Sequence, residues 1–181
     1  MTADNAYLLR GGVFIGDDTS ENTLTIEPGT VIYGETNSDG MLVVRRNAKI
    51  MAEGTAEAPI VMTSSKNEGS RTRGDWGGVI INGNAPINSC GDVDFCEAQG
   101  EGGTGLYGGN DSQDNSGILK YVRIEFAGTL VSPDNELNGI ALQGVGSGTT
   151  LEYIQVHMNA DDGVEFFGGN VSIKHLVVSG V

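Results

Sequence analysis

Positive charge is scarce in this chain, which has 10 Lys and Arg against 24 Asp and Glu and a net charge of −14 over 181 residues. Nucleic acids and anionic membrane surfaces are bound by clustered positive charge, so we expect neither as a partner. Long apolar runs are missing too, and no segment reaches the roughly 20 apolar residues of a membrane-spanning helix. The acidic composition suits simple solubility or an exterior rich in salt or calcium.

A helical pattern is also missing. The chain has 29 Gly, and no window carries apolar residues with helical spacing for more than a turn or so. Alternation typical of β-strands is present instead, in three segments that align residue for residue: 119–126, 151–158 and 173–180. Aliphatic residues such as Val122 and Ile124 alternate there with polar or aromatic ones, which predicts strands with one buried and one exposed face.

A second motif recurs between these strands and reads GVIING at 78–83, GIALQG at 139–144 and GVEFFG at 163–168. The last two turns are spaced by 22 to 24 residues, whereas the gap from Leu119 to Leu151 is 32 residues because the loop 130–138 is added. Repeats of this length, made of strands and glycine-containing corners, are typical of a solenoid. We therefore predict an all-β fold, a right-handed parallel β-helix that forms a single domain over residues 1–181.

The N-terminal part and the end of the chain add to this prediction. Residues 1–23 should form an N-terminal strand or cap. Residues 24–34 align with residues 42–52, so we expect these two segments to be successive rungs whose turns coincide. The chain ends on an apolar strand at Val181 without a polar cap, which predicts a truncated fragment or an end buried against another copy.

Cys90 and Cys96 are the two cysteines of the chain, and they lie in the polar segment 84–116, which we expect to form a long protruding loop. A metal centre would need further Cys or His ligands nearby, and the sequence has none there, so the pair predicts a disulfide. A disulfide indicates an oxidising compartment. The first residues are polar and lack the apolar core of a signal peptide, so we expect a secreted or cell-surface protein whose leader is not part of this sequence.

Four segments resemble a known family: LTIEPGT at 24–30, GTAEAPIVMTS at 54–64, GDWGGVIING at 74–83 and NADDGVEFFGG at 159–169. In this order they are similar to bacterial secreted or lipid-anchored surface proteins of the right-handed parallel β-helix type, and the resemblance covers nearly the whole chain. It implies a signal sequence before residue 1 and further rungs after Val181. More distantly, the coil resembles pectin-lyase-type carbohydrate-active enzymes, although a shared fold does not by itself imply shared chemistry.

Outward-facing residues of the aligned strands form columns, because equivalent positions in successive rungs lie about 4.8 Å apart. Tyr121 and Tyr153 share one column with His175, and Arg123 stands in the next. The two tyrosines, Arg123 and Trp76 are our candidate ligand-binding residues. For Trp76, filling a corner of the coil is the alternative to a role as a sugar-stacking platform.

If the chain is an enzyme, the candidate catalytic residues are Glu125, His157, Asp161 and Asp162. The alignment places Glu125 beside His157, which suits either an acid/base pair or a surface ladder of favourable neighbours. Asp161 and Asp162 could serve as the paired carboxylates of a glycosidase. The sequence lacks the Gly-His-Gly and Arg-x-Lys motifs of polygalacturonase-like hydrolases and the Arg-rich signature of pectate-lyase-like enzymes.

No cofactor is required by the sequence, but Ca²⁺ is a candidate ligand. Asp161, Asp162 and Glu165 are the candidate metal ligands, because calcium is held by carboxylate and backbone oxygens. The polar run NDSQDN at 110–115 is a second candidate calcium loop, although it lacks the Gly and the terminal Glu of an EF-hand. In both places the alternative is a turn in which Asp and Asn side chains bond local backbone groups.

These observations predict a non-catalytic extracellular or cell-surface protein that binds glycans or other surfaces along an extended face, with Ca²⁺ as a candidate stabiliser. A polysaccharide lyase or glycoside hydrolase is the alternative from a second class. A structural module that self-associates through exposed coil ends is the third, because an uncapped solenoid offers unpaired strand edges.

Overall fold

The computed structural model describes residues 1–91, 93–132 and 135–181. Two single-turn 3-10 helices, η1 (Thr36–Ser38) and η2 (Glu101–Gly103), accompany the strands, and no helix in these ranges is long and apolar enough to cross a membrane. The strands are β1 (Ala6–Leu9), β2 (Gly12–Ile15), β3 (Thr23–Ile26), β4 (Val31–Gly34), β5 (Met41–Val44), β6 (Lys49–Glu53), β7 (Ile60–Ser64), β8 (Gly78–Asn82), β9 (Ala98–Gln99), β10 (Leu106–Tyr107), β11 (Gly117–Glu125), β12 (Leu130–Ser132), β13 (Asn135–Glu136), β14 (Ile140–Gln143), β15 (Thr150–His157), β16 (Val164–Phe167) and β17 (Ile173–Ser179).

Three faces of parallel strands form one coil. The first face contains β3, β6 and the N-terminal halves of β11, β15 and β17. The second contains β1, β4, β7 and the C-terminal halves of the same three strands. The third face is the sheet β2-β5-β8-β14-β16. Successive strands of the chain lie on different faces, while strands of successive turns lie side by side. The predicted all-β parallel β-helix is therefore confirmed.

One residue per turn makes the corner between the first and second faces in the last three turns. Tyr121, Tyr153 and His175 interrupt β11, β15 and β17 with φ values of 49°, 56° and 56°, in the left-handed region. This conformation costs roughly 1–2 kcal/mol for a residue with a side chain. In the preceding turn the loop 54–59 makes the same corner, so the first half of β11 pairs with β6 and the second half with β7.

Aliphatic columns fill the interior of the coil. Leu119 lies beside Leu151, and both side chains are buried. On the third face, Val79 lies beside Ile140, which lies beside Val164. Burying one such side chain stabilises the fold by about 1.5–3 kcal/mol. Both sets of neighbours are those predicted by aligning the repeated segments, so that register is confirmed.

One predicted alignment is wrong. Residues 24–34 and 42–52 are not successive rungs, because Leu24 lies beside Ile50, whereas Leu42 belongs to β5 on the third face. The two segments look alike because strands of every face need an apolar side toward the interior. At the N-terminus, residues 1–23 contribute β1 and β2, which pair with β4 and β5 and so extend the second and third faces.

The segment 84–116 was expected to protrude, but its described part packs against the coil; Asp92 lies outside the described residues. Ile87, Cys96 and Tyr107 form a small apolar cluster that contacts Phe167 of β16. The outer side of the third face also carries a second apolar cluster, which Leu137 joins from the segment before β14. The apolar ring of Phe167 on this outer side explains the difference, because a solvated loop would leave it exposed to water. The buried members of the second cluster are Met41, Val43, Ile80, Leu137 and Ala141.

Two links stabilise the segment 84–116, which we call the excursion. The predicted disulfide joins Cys90 to Cys96 and closes a small loop within the excursion. Arg46, in the turn after β5, forms an ion pair with Glu97 and donates a hydrogen bond to the carbonyl oxygen of Gly108 at 3.2 Å. The excursion is thereby fixed to the coil both by packing and by charge.

The last strand, β17, leaves apolar side chains exposed. Leu176, Val177 and Val178 are each at least 39% exposed, although Leu176 and Val178 continue columns that are buried in the preceding turns. Self-association through the coil ends stays a prediction.

Candidate functional site

The corner between the first and second faces carries a stack of three rings. Tyr121 and Tyr153 are parallel, with ring centroids 4.4 Å apart and planes inclined by 6°. His175 continues the stack at 4.3 Å from Tyr153, with an inclination of 12°. The rings stack because each occupies the left-handed corner position of its own turn, and the strand spacing of about 4.8 Å brings equivalent side chains into contact.

An open groove runs along this stack, with a volume of about 740 Å³. Its lining mixes apolar side chains with polar groups that can hydrogen-bond, which is typical of small-molecule and polymer sites. We call it the corner groove. Its lining consists of Thr55, Ala56, Pro59, Tyr121, Arg123, Tyr153, Ile154, Gln155, His175, Leu176 and Val177.

Arg123 supplies the positive charge of the corner groove. It lies beside Gln155 in the sheet, and its side chain is 45% exposed. Its Nη2 donates to Oε1 of Glu125 at 2.5 Å, and Oε2 of Glu125 accepts from Thr63 at 3.1 Å. The guanidinium is therefore oriented by a buried carboxylate while part of it remains open to the groove.

Glu125 and His157, the predicted acid/base pair, are register neighbours. Their side chains have other partners, since Nδ1 of His157 and the hydroxyl of Ser179 are 3.0 Å apart. Within the described parts of the chain, no hydrogen bond or ion pair joins Glu125 to His157. A proton relay through this pair would require both side chains to change partners.

Trp76 does not face the corner groove. Its side chain is fully buried, and Nε1 donates a hydrogen bond to the carbonyl oxygen of Glu125 at 2.8 Å. Stacking on a sugar requires an exposed ring face, which Trp76 does not have. Its buried position fits the alternative role of filling the interior of the coil.

Asp161 and Asp162 lie exposed in the bend between β15 and β16. The bend is organised by Asn159, whose Nδ2 donates to the carbonyl oxygens of Asp161 at 3.0 Å and Asp162 at 2.8 Å. Both carbonyl oxygens therefore face the side-chain amide of Asn159. Glu165, the third predicted metal ligand, accepts a hydrogen bond from Asn138 at 2.6 Å.

Glu101 of η2 joins Glu165 on the outer side of the third face, although sequence reasoning did not single it out. Burial and the charges of Glu165, Asp161 and Glu136 raise the pKa of Glu101 to about 6. The pKa of Glu165 is raised chiefly by burial, with the hydrogen bond from Asn138 acting in the opposite direction. No motif links Glu101 to Glu165, because the excursion brings them together only in the folded chain.

Among the described residues, neither predicted calcium site brings together three acidic side chains that could hold a metal ion. In the described ranges, no three His, Cys, Asp or Glu side chains are grouped so that they could hold a metal ion. In the run 110–115, Asp111 accepts from the backbone of Gln113, and Asp114 accepts from Asn84 and Ser116. These are the local bonds of a polar turn.

Fold and site together define a parallel β-helix protein that presents an aromatic groove along one corner. A family model described as a pectate-lyase-like beta helix domain matches residues 1–181, and the chain therefore belongs to this family. The predicted resemblance to pectin-lyase-type coils is thereby confirmed. No curated protein and no solved structure matches the chain. Family membership establishes the fold, whereas reaction and ligand must be argued from the site.

Proposed function

We propose that this chain is a non-catalytic secreted or cell-surface protein that binds a glycan in the corner groove. The observation that carries the proposal is the groove itself, in which Tyr121 and Arg123 of β11 lie together with Tyr153 of the next turn. The disulfide between Cys90 and Cys96 fits an oxidising exterior.

A sugar chain matches the chemistry of the groove. The apolar faces of sugar rings pack against aromatic and aliphatic side chains, while hydroxyl groups hydrogen-bond to Arg123, Gln155 and Thr55. The groove follows the coil axis, so an extended polymer could contact equivalent positions on several turns. A net charge of −14 disfavours polyanionic glycans, and we infer that the ligand is neutral.

The arrangement of the ionisable groups supports binding over catalysis. Glu125 is engaged by Arg123 and Thr63, and His157 lies against Ser179. Asp161 and Asp162 lie in the bend before the third face, apart from the residues that line the corner groove. A lyase or hydrolase needs its acid and base within reach of one scissile bond.

The test is a calorimetric titration of the protein with three soluble neutral polysaccharides (a glucan, a mannan and a xylan) and with polygalacturonate. We expect one neutral glycan to bind, and Tyr153→Ala and Arg123→Ala each to weaken it about tenfold or more. Leu106→Ala removes an equally exposed apolar side chain on the excursion and should leave affinity unchanged. Melting curves of each variant separate lost binding from lost folding.

Two outcomes contradict the proposal. Binding that is insensitive to both groove substitutions would place the ligand elsewhere. New reducing ends or unsaturated products that disappear in Glu125→Gln or His157→Ala would establish the enzymatic alternative.

A further inference from the structure

The ring stack leaves few aromatic faces open in the corner groove. Tyr153 lies between Tyr121 and His175, with centroid distances of 4.4 and 4.3 Å, so both faces of its ring are covered. Tyr121 is covered by Tyr153 on one side in the same way. A sugar that stacks on an aromatic residue needs an uncovered ring face. The groove therefore meets Tyr153 through the edge of its ring and through its hydroxyl group.

The hydroxyl groups of the two tyrosines make no contribution to the hydrogen bonding of the fold. Within the described ranges, neither hydroxyl has a hydrogen-bond partner in the protein, whereas the hydroxyl of Tyr7 bonds to Thr2. The stack itself depends on the aromatic faces, which phenylalanine would supply equally well. Both tyrosines line the groove, so two hydroxyl groups face a ligand with their full capacity to donate and accept hydrogen bonds.

The stack also sets the spacing of these two hydroxyl groups. Tyr121 and Tyr153 occupy the same corner position in successive turns, with φ values of 49° and 56°, and their ring planes are inclined by only 6°. We therefore expect the hydroxyl oxygens to lie about as far apart as the ring centroids, roughly 4.4 Å. Two hydroxyl groups at this spacing can both bond to one ligand oxygen at about 2.7 Å, or to two adjacent oxygens. Sugar rings carry hydroxyl groups on neighbouring carbons and offer both arrangements.

Further polar groups continue this row along the groove. Arg123 and Gln155 are register neighbours, and each lies two residues after the tyrosine of its own turn. The guanidinium donates hydrogen bonds, and the amide both donates and accepts them. Pro59 and other aliphatic side chains line the groove beside this row. A ligand in the groove thus meets hydrogen-bonding groups along one edge and apolar surface beside them.

We propose that the hydroxyl groups of Tyr121 and Tyr153 select the ligand of the corner groove, and that this ligand is a neutral glycan with an edge of free hydroxyl groups turned toward them. The apolar faces of the sugar rings contact ring edges and aliphatic side chains, and no sugar stacks on the face of Tyr153. The inference rests on the glycan binding proposed above and adds which groups recognise the sugar. A glycan whose hydroxyl groups are blocked should be excluded.

The experiment replaces tyrosine by phenylalanine, which removes the hydroxyl group and keeps the ring stack. The neutral polysaccharide that binds the unmodified protein most tightly is titrated into Tyr121→Phe, Tyr153→Phe and the double variant in a calorimeter. We expect each single variant to bind about three- to tenfold more weakly and the double variant about tenfold or more, because each loses hydrogen bonds to the ligand. Melting temperatures should stay unchanged, since neither hydroxyl group bonds to the protein.

Tyr33 provides the matched control. Within the described ranges its hydroxyl group also has no partner in the protein, and the residue lies on β4, outside the corner groove. Tyr33→Phe should therefore bind the polysaccharide as the unmodified protein does.

A methylated form of the same polysaccharide tests the inference from the side of the ligand. Methyl ethers keep the apolar faces of the sugar rings but cannot donate hydrogen bonds, so we expect no measurable binding. Normal affinity in both tyrosine variants, or equally tight binding of the methylated polysaccharide, would overturn the inference and leave glycan binding in the groove intact. If none of the neutral polysaccharides binds the unmodified protein, the proposed function fails and this inference fails with it.

Discussion

At the scale of single residues, the indole of Trp76 packs directly against the backbone of Gly34, which ends β4 on the second face. A Cβ placed on Gly34 would lie 2.5 Å from Cβ, Cδ2 and Cε3 of Trp76. The indole is fully buried, and its Nε1 donates a hydrogen bond to the carbonyl oxygen of Glu125. The backbone of Trp76 forms a parallel β-bridge with Ala127. Glycine is thus required at position 34 by the space that the indole occupies.

We expect Gly34→Ala to destabilise the fold by about 1–3 kcal/mol through overpacking, and Trp76→Ala to cost about 3–5 kcal/mol through the cavity it leaves. In the double variant the new methyl group enters that cavity, so the combined loss should be smaller than the sum of the two. Urea unfolding of the four proteins measures this difference. Strict additivity would show that Gly34 and Trp76 do not contact each other.

At the scale of elements, the corner residues of β11, β15 and β17 combine two opposing effects. The left-handed backbone of Tyr153 is unfavourable for a residue with a Cβ, whereas its ring stacks on Tyr121 and His175. Stacked pairs contribute about 0.5–1.5 kcal/mol each. The ring contacts offset the backbone cost, which explains why an aromatic residue is stable at this corner.

Substitution of Tyr153 separates the two effects. Tyr153→Ala loses the stacking and keeps the unfavourable backbone, while Tyr153→Gly loses the stacking but relieves the backbone. We expect the glycine variant to be more stable than the alanine variant by about 1 kcal/mol, the reverse of the usual order in a strand. The denaturant midpoints of the two variants measure this difference in stability. An alanine variant at least as stable as the glycine variant would contradict a left-handed backbone cost at position 153.

At the scale of the whole molecule, electrostatic repulsion opposes folding. The net charge of −14 is spread over a compact coil, and the ion pairs involve only part of the 24 acidic residues. Most of these pairs include a partly exposed side chain, so each contributes little. We therefore expect repulsion among the remaining carboxylates to outweigh the ion pairs.

We expect monovalent salt to stabilise the fold. Between about 10 and 150 mM NaCl the screening length falls from roughly 30 to 8 Å, which weakens the long-range repulsion more than the short-range ion pairs. The melting temperature, measured in the presence of chelator to exclude calcium, should rise over this range. A fall would mean that the ion pairs contribute more than the repulsion costs.

Much of the coil could be predicted from local patterns. The aligned strands 119–126, 151–158 and 173–180 lie side by side in the expected register, and the tyrosines and Arg123 line one groove as the column alignment suggested. A one-residue slip would move an apolar side to the solvent, so alternation by itself fixes such pairing. The burial of Trp76 was the alternative that the sequence left open.

Other features depended on the folded chain. Leu119 and Tyr121 would share a side in a continuous strand, but the left-handed residue at 121 turns the strand so that Leu119 and Val122 both point inward. The sequence by itself determined the repeating coil and the register of its aligned strands, because each of those turns repeats the same local environment, and it determined the disulfide, because the chain has only two cysteines. Only the tertiary structure decided the one-residue corner and the meeting of Glu101 with Glu165, because these depend on backbone conformation and on where a non-repeating excursion packs.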